Sequence, residues 1–332
     1  MNIKILGLII GFFCSACSQK KEVTMITQNP NITAKNLVEE ITKNIKHYPS
    51  EKVYTLDFIS SYNFFELFVN DMPLHKEFRL HSSSSATELN PRIFKSGKYK
   101  VVYKMHPVGQ IDNENYPVLR DNSYLDITLT SYDLKNENSS DIIYNHYKTP
   151  VENLQISKKY SEDKFIGTGK DYYEGSFYID VQVPYEIHPT FDKGKDLRKM
   201  DKKELEVKLL SAYQKVWNIY QNKEYDNIAK ISFDALKDEF VTKFNNKNNI
   251  SEVWKTYLES YNESSFEMQP LKDYKLEFFS NGKLVALMST NPDFRNRGNT
   301  ALWAKVNQEG LRPFFINRYF YIPENETEFK VY

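Results

Sequence analysis

Four of the chain's eight arginines, Arg295, Arg297, Arg312 and Arg318, lie between positions 295 and 318. Arginine is the side chain suited to bidentate recognition of a carboxylate or phosphate, because its planar guanidinium matches those groups with two parallel N–H bonds. FRNRG, residues 294–298, reads as a loop between two strands. Arg312 and Arg318 read as members of the last strand. The functional expectation is an anion- or partner-binding rim; the bland one is a set of exposed ion pairs, each worth about 0–1 kcal/mol. A second set with possible chemistry is Tyr172 and Tyr173 in KDYYEG, adjacent aromatics that could stack on a sugar. A third is Trp217, Tyr220, Trp254, Tyr257 and Trp303, which would line a cavity if the C-terminal half were hollow and would otherwise be core.

Other chemistries find little support. The six histidines, His47, His75, His81, His106, His146 and His188, include no pair at the i, i+4 spacing of a helical zinc site. His75 and His81 could meet near a serine-rich stretch, but exposed or structural roles are the expectation. Asp112, Glu114 and Asp121 lack calcium-loop spacing and read as solvated loop charges. GTGKD at residues 167–171 does not match the phosphate loop G-x-x-x-x-G-K-[ST] and reads as a turn. Neither G-x-S-x-G nor H-E-x-x-H occurs. No metal, cofactor or catalytic residue is expected.

Composition narrows the class further. Lys plus Arg and Asp plus Glu both total 44, so the net charge is zero. A nucleic-acid binder would carry a basic excess to neutralise phosphates. Only 11 glycines are present, which disfavours glycine-rich phosphate loops. The 24 Tyr and 22 Phe suit half-buried strands, where aromatic side chains pack well.

The elements that must position these residues fall into two regimes. Residues 18–31 read as a polar tether. Leu37, Val38, Ile41 and Ile45 then recur at helical spacing before Pro49. From Lys52 the period becomes two. Tyr54, Leu56 and Phe58 alternate, as do Phe65, Leu67 and Val69, with a turn at Asn70-Asp71. After a serine-rich loop at residues 82–85, Tyr99, Val101, Tyr103 and Met105 alternate against lysines. Leu125, Ile127 and Leu129 follow, and Phe177, Ile179, Val181 and Val183 close the set. Eight or nine short strands separated by turns predict an antiparallel β-sandwich over residues 51–188. Residues 186–201, with Pro189 and Gly194 and no period, read as a linker.

The second regime, residues 196–332, opens with Asp201 and Glu204 at capping-box spacing. Leu205, Leu209, Tyr213, Val216 and Tyr220 form one helix face. A short helix at Tyr225–Ala229, a third over residues 233–244 and a fourth capped by Ser251 follow. Strands then flank Asn281-Gly282, a hairpin signal, and Glu309-Gly310. The expectation is an α+β domain with helices over one sheet. In AYQKVWNIYQNKEYDNIAKI and ALWAKVNQEGLRPFFINRYFYI this half resembles the NTF2-like superfamily, which implies a strongly curved antiparallel sheet that often encloses an apolar cavity. That family spans enzymes and inert binding modules, so the resemblance implies no particular activity.

Both cysteines lie in the opening segment, MNIKILGLIIGFFCSACSQK. Lys4, the apolar run from Ile5 to Phe13 and the small residues Ser15 and Ala16 have the order of a secretory signal. The run is too short to span a bilayer, which needs roughly 20 residues. The small-small-Cys ending resembles the lipobox of bacterial lipoproteins. That resemblance implies removal of residues 1–16 and acylation of Cys17, which leaves the tether and short helix read above as residues 17–50. It also implies residence at the cell envelope, with Ser18 pointing to the outer membrane. Cys14 stands where the family usually has Leu, and a cut before Cys14 would follow Phe13 where a small residue is wanted. Two or more acyl chains hold a protein stably, whereas one holds it marginally. The functional expectation is a non-catalytic, lipid-anchored envelope protein binding an unknown protein or envelope polymer, in one form an immunity-type lipoprotein. The alternatives are an envelope enzyme with its site in a C-terminal cavity, or a carbohydrate-binding lipoprotein.

Overall fold

Strand β1 (Lys52–Ser61) buries Tyr54, Leu56 and Phe58 and turns the intervening side chains outward. Such alternation is what one buried sheet face demands. In this computed structural model, which describes residues 24–111, 113–136, 142–307 and 310–332, the chain is mixed α+β. It is built mainly from antiparallel sheets, with four α-helices among the described residues. Cys14, Cys17 and Asp112 lie outside the described residues.

The first half supplies β2 (Phe64–Val69), β3 (Met72–Glu77), β4 (Ser82–Glu88) and β5 (Gly97–His106). Two short strands, β6 (Gly109–Ile111) and β7 (Glu114–Tyr116), come next. They are followed by β8 (Tyr124–Asp133), β9 (Ile142–Lys148), β10 (Val151–Ser157), β11 (Tyr160–Phe165) and β12 (Tyr173–Val181). Two four-stranded sheets result, in the orders β4-β1-β8-β9 and β12-β5-β2-β3. Their apolar faces meet in one cluster: Leu56 and Leu129 from the first, Leu67, Val101, Tyr103 and Ile179 from the second. Register aligns the faces, with Leu56 opposite Leu129 and Phe58 opposite Ile127. The two-residue turn at Asn70 and Asp71 has positive φ at both positions, as an inverse-type hairpin turn requires.

The serine-rich loop expected at residues 82–85 is instead part of the edge strand β4. Ser60 pairs with Ser83, and their hydroxyls lie 2.9 Å apart. An edge strand that contributes little to the core needs no apolar alternation, so the period-two signal was missing. Its exposed serines also make a poor template for edge-to-edge aggregation.

The second half begins with three long helices, α2 (Lys202–Gln221), α3 (Tyr225–Thr242) and α4 (Lys247–Asn262); the short helix α1 (Leu37–Thr42) packs against α3 and α4. Asp201 caps α2 by accepting from the amides of Lys203 and Glu204. The segment expected as two helices is continuous in α3, because no Gly or Pro interrupts it. Helix α4 starts ahead of Ser251: Asn246 and Asn249 form a reciprocal capping box there. Strands β13 (Glu267–Met268), β14 (Tyr274–Phe279), β15 (Leu284–Ser289), β16 (Trp303–Asn307), β17 (Leu311–Phe315), β18 (Phe320–Tyr321) and β19 (Lys330–Val331) follow. They form two antiparallel sheets, β13-β16-β17 and β14-β15-β18-β19, joined by an isolated bridge between Met288 and Thr300. The last strand expected from the sequence breaks after Phe315, and Arg318 lies in the unladdered stretch before β18.

Helix and sheet share a core containing Leu205, Leu209, Val216, Ile228, Leu287 and Phe320. Within it the fully buried Tyr213 donates to the Arg318 carbonyl at 2.7 Å and accepts from the Leu287 amide at 3.2 Å. Tyr213→Phe leaves both backbone groups unpaired in the core. It should lower unfolding free energy by about 1–3 kcal/mol in urea titration.

Two stretches expected as loose connections are docked. Gln28 is buried, donates to Asp234 at 3.0 Å and pairs with both backbone groups of Val331. Residues 24–31 therefore sit on α3 and β19, and only the earlier part of the expected tether lies outside the described residues. In residues 186–201, Phe191 and Leu197 are buried and Gly194 bridges to Pro323. Phe191 joins a third cluster in which Phe68 and Met72 of the first half pack with Phe279, Leu284, Met288 and Tyr321 of the second. Among the described residues, no helix is long and apolar enough to cross a membrane.

Candidate functional site

A cavity of about 550 Å³ opens where sheet strands β2 and β3 meet helices α3 and α4 and the segment after β17. Its wall includes Phe68 of β2, Lys76 of β3, Glu239 of α3, Tyr257 and Tyr261 of α4, and Arg318. Its size lies within the range of small-molecule sites, and polar groups converge in it beside aromatic rings, the usual composition of such sites.

Arg318 is held by neutral partners. One terminal nitrogen donates to the Tyr220 hydroxyl at 2.6 Å and to the Ser232 hydroxyl at 2.8 Å; the other reaches the Asn317 carbonyl at 3.3 Å. Three of the five N–H bonds of a guanidinium are thereby placed. Its Nε is buried without a partner. The Arg318 side chain forms no ion pair with a carboxylate among the described residues. Burial raises the phenol pKa values of Tyr257 and Tyr261, and pushes that of Tyr319 up to about 12, so these rings are neutral at physiological pH.

Lys76 lines the cavity from β3. Its ammonium donates to the Gly298 carbonyl at 2.7 Å and to the Asn299 side chain, tying β3 to the loop after β15. Desolvation lowers its pKa to about 8, against a smaller opposing pull from Glu66. Arg92 adds another cation, donating to the Pro73 carbonyl at 2.7 Å and to the Pro91 carbonyl at 3.1 Å. The carboxylates in the lining are Glu66, which pairs with His106 at 3.1 Å, and Glu239. His75 is pulled below its ordinary pKa by burial, packs on Phe58 and Phe65, and leaves Nε2 without a partner.

The four clustered arginines do not form one surface. Arg295 and Arg297 line a second, wider groove of about 1070 Å³ with Phe64, Phe78 and His81. There Arg295 Nε is paired with Asp293 at 2.9 Å, an exposed local ion pair, and Arg297 lies 6.0 Å from the Phe78 ring centre. Arg312 is exposed on β17 opposite Val306 and lines neither cavity. Tyr172 and Tyr173 do not share a face. Tyr172 is exposed, with its hydroxyl on Glu174 at 2.6 Å, whereas Tyr173 packs edge-on against Phe165 at 5.0 Å.

Among the five aromatics named from sequence, Tyr257 lines the first cavity and Tyr220 stands behind it, bonded to Arg318. Trp254 is buried with its indole on the Ala34 carbonyl, and Trp217 donates to the Gln269 carbonyl. Trp303 faces Phe315. Sequence reasoning missed Lys76, Arg92, Glu239, Tyr261 and Phe314. The one local signal was in β3 itself, where Pro73, Leu74, His75 and Lys76 do not alternate apolar with polar; all four are half-buried.

His75 packs among aromatic rings and His81 lies against Tyr62. No group of three or more His, Cys, Asp or Glu side chains arranged to hold a metal occurs among the described residues. No protein-family model, curated protein or solved structure matches the chain.

Proposed function

We propose that this chain is a lipid-anchored cell-envelope binding protein, non-catalytic, that takes its ligand in the cavity between the β2–β3 sheet and helices α3 and α4. The observation that carries the binding reading is this cavity of about 550 Å³, in which charged groups from both halves converge beside Tyr257 and Tyr261. A solidly packed junction would have left no such space, since protein interiors carry few voids larger than a water molecule. The anchoring reading rests on the opening segment: Cys17 follows Ser15 and Ala16 after an apolar run, and acyl chains on its sulfur would hold the mature chain at the membrane. On this reading residues 51–188 are a β-sandwich domain, supported by the two four-stranded sheets that share one core. On the same reading residues 196–332 are an NTF2-like module that supplies α3, α4 and residues 314–319 to the cavity wall. The part of the ligand that enters is small; it is either a free molecule or the end of an envelope polymer.

Thermal unfolding in the presence of fractionated envelope extract tests the binding reading. At least one fraction should raise the midpoint of the wild-type protein, and Ala235→Trp, which places a large side chain in the lining, should abolish the rise. A rise of equal size in the filled variant, or no rise with any fraction, would remove the cavity from the account.

A further inference from the structure

We propose that the cavity selects a small organic anion, one carboxylate or phosphate group joined to an apolar body, and that Arg318 is the residue that receives the acidic group. The inference rests on the binding reading above and adds the chemical class of the ligand.

Arg92, Lys76 and Arg318 bring three basic side chains to the lining, against the carboxylates of Glu66 and Glu239. Glu66 is turned to His106. None of the three basic side chains is hydrogen-bonded to a carboxylate; Arg318 is set apart by its Nε, buried with no partner, while its terminal nitrogens meet two hydroxyls and a carbonyl. A guanidinium taken out of water is costly unless an opposite charge joins it. Folded proteins rarely leave such a group unpaired, and an anion entering the cavity would supply the missing partner. The neutral hydrogen bonds also fix the plane of the guanidinium before any ligand arrives. This preorganisation reduces the ordering cost of binding.

The rest of the wall sets the ligand's other end. Phe68, Tyr257, Tyr261, Phe314 and Phe315 line the same space, so a bare inorganic anion would leave most of the apolar surface uncovered. Burial of an attached ring or short alkyl chain there is worth about 25 cal/mol per Å². Wild-type protein should therefore bind an aryl anion more tightly than either the inorganic anion or the neutral aryl analogue.

Isothermal titration with four probes tests this: phenyl phosphate, benzoate, inorganic phosphate and benzyl alcohol. The expected order places one or both aryl anions ahead of inorganic phosphate and benzyl alcohol, and the stronger of the two identifies the acidic group as phosphate or carboxylate. Arg318→Gln should weaken the preferred anion about tenfold or more, as the loss of charge-assisted hydrogen bonds requires. It should leave the unfolding midpoint of the ligand-free protein unchanged or higher, because it removes a half-buried charge that no carboxylate compensates. A purely structural arginine would show the opposite pattern, with lost stability and unchanged binding. Should Arg318→Gln fail to fold, Arg318→Lys keeps the charge and loses the planar fork; it should still weaken the anion while sparing benzyl alcohol. Benzyl alcohol binding as tightly as the aryl anions would overturn the inference and leave the binding reading standing. So would anion binding unaffected by both Arg318 variants. Binding of none of the four probes also overturns it, and the extract titration then decides the binding reading separately.

Discussion

Gly298→Ala should lower the unfolding free energy by about 2–4 kcal/mol, the sum of a backbone and a packing cost. Gly298 has φ of +64°, a left-handed conformation that an alanine adopts only with strain. A Cβ built there would lie 2.7 Å from Lys76 Cδ, 3.1 Å from Glu66 Oε1 and 3.3 Å from the Phe78 ring. Lys76 and Glu66 belong to strands β3 and β2, Phe78 follows β3, and the Gly298 carbonyl is itself an acceptor for Lys76. The substitution thus pushes apart the two walls of the cavity at the point where the ammonium joins them. Gly109→Ala separates the two costs: Gly109 also has positive φ, at +70°, but no described residue lies within 4 Å of its Cβ position. It should lose only the conformational part, about 1 kcal/mol. Urea titration of both variants measures the difference. Equal losses would show that the junction tolerates a methyl group and that the contact with Lys76 is slack.

Asp238→Asn should stabilise the protein above pH 7 by about 1–3 kcal/mol and flatten its stability profile between about pH 4 and pH 6. Asp238 is only 1% exposed. Burial raises its pKa from the ordinary 3.8 to about 6, and the nearby Asp234 adds to the rise, while Lys237 and the Tyr332 hydroxyl pull the other way. Tyr332 donates to one carboxylate oxygen at 3.1 Å; Lys237 stands 3.4 Å from the other, which accepts no hydrogen bond. Between pH 3.8 and about 6 the folded chain holds a proton at Asp238 that the unfolded chain has released. The unfolding free energy therefore falls as pH rises through that window and stays lower above it. Asparagine carries no charge to desolvate and can still accept from Tyr332. Thermal unfolding from pH 4 to pH 8 measures the effect. A variant less stable than the wild type at pH 8 would show that the Lys237–Asp238 pair outweighs the cost of burying the charge.

Strand faces that pack on a core were legible in the sequence because burial imposes a period. Tyr99, Val101, Tyr103 and Met105 alternate, and all four are buried. The same holds for Leu205, Leu209, Tyr213, Val216 and Tyr220 along α2. Elements stabilised chiefly by backbone pairing or capping left weaker traces. Strand β4 is polar at its start because it is an edge, and the start of α4 depends on two asparagines whose reciprocal bonds look, in sequence, like ordinary loop residues. The cavity was the least legible feature. Its wall draws on β2, β3, α3, α4 and residues 314–319, segments far apart in the chain, and no local period records which faces meet. Arg318 was singled out with Arg295, Arg297 and Arg312 for its residue type. Its separation from them follows from the break in the last strand, which places it on Tyr220 and Ser232.

The most direct measurement is native mass spectrometry of the chain extracted in mild detergent from washed membranes. The account predicts a mature chain that begins at Cys17, carries acyl groups there and retains one small organic anion that Arg318→Gln releases. A chain recovered from the soluble fraction with an unmodified Cys17, and with no small molecule bound before or after the substitution, would contradict it.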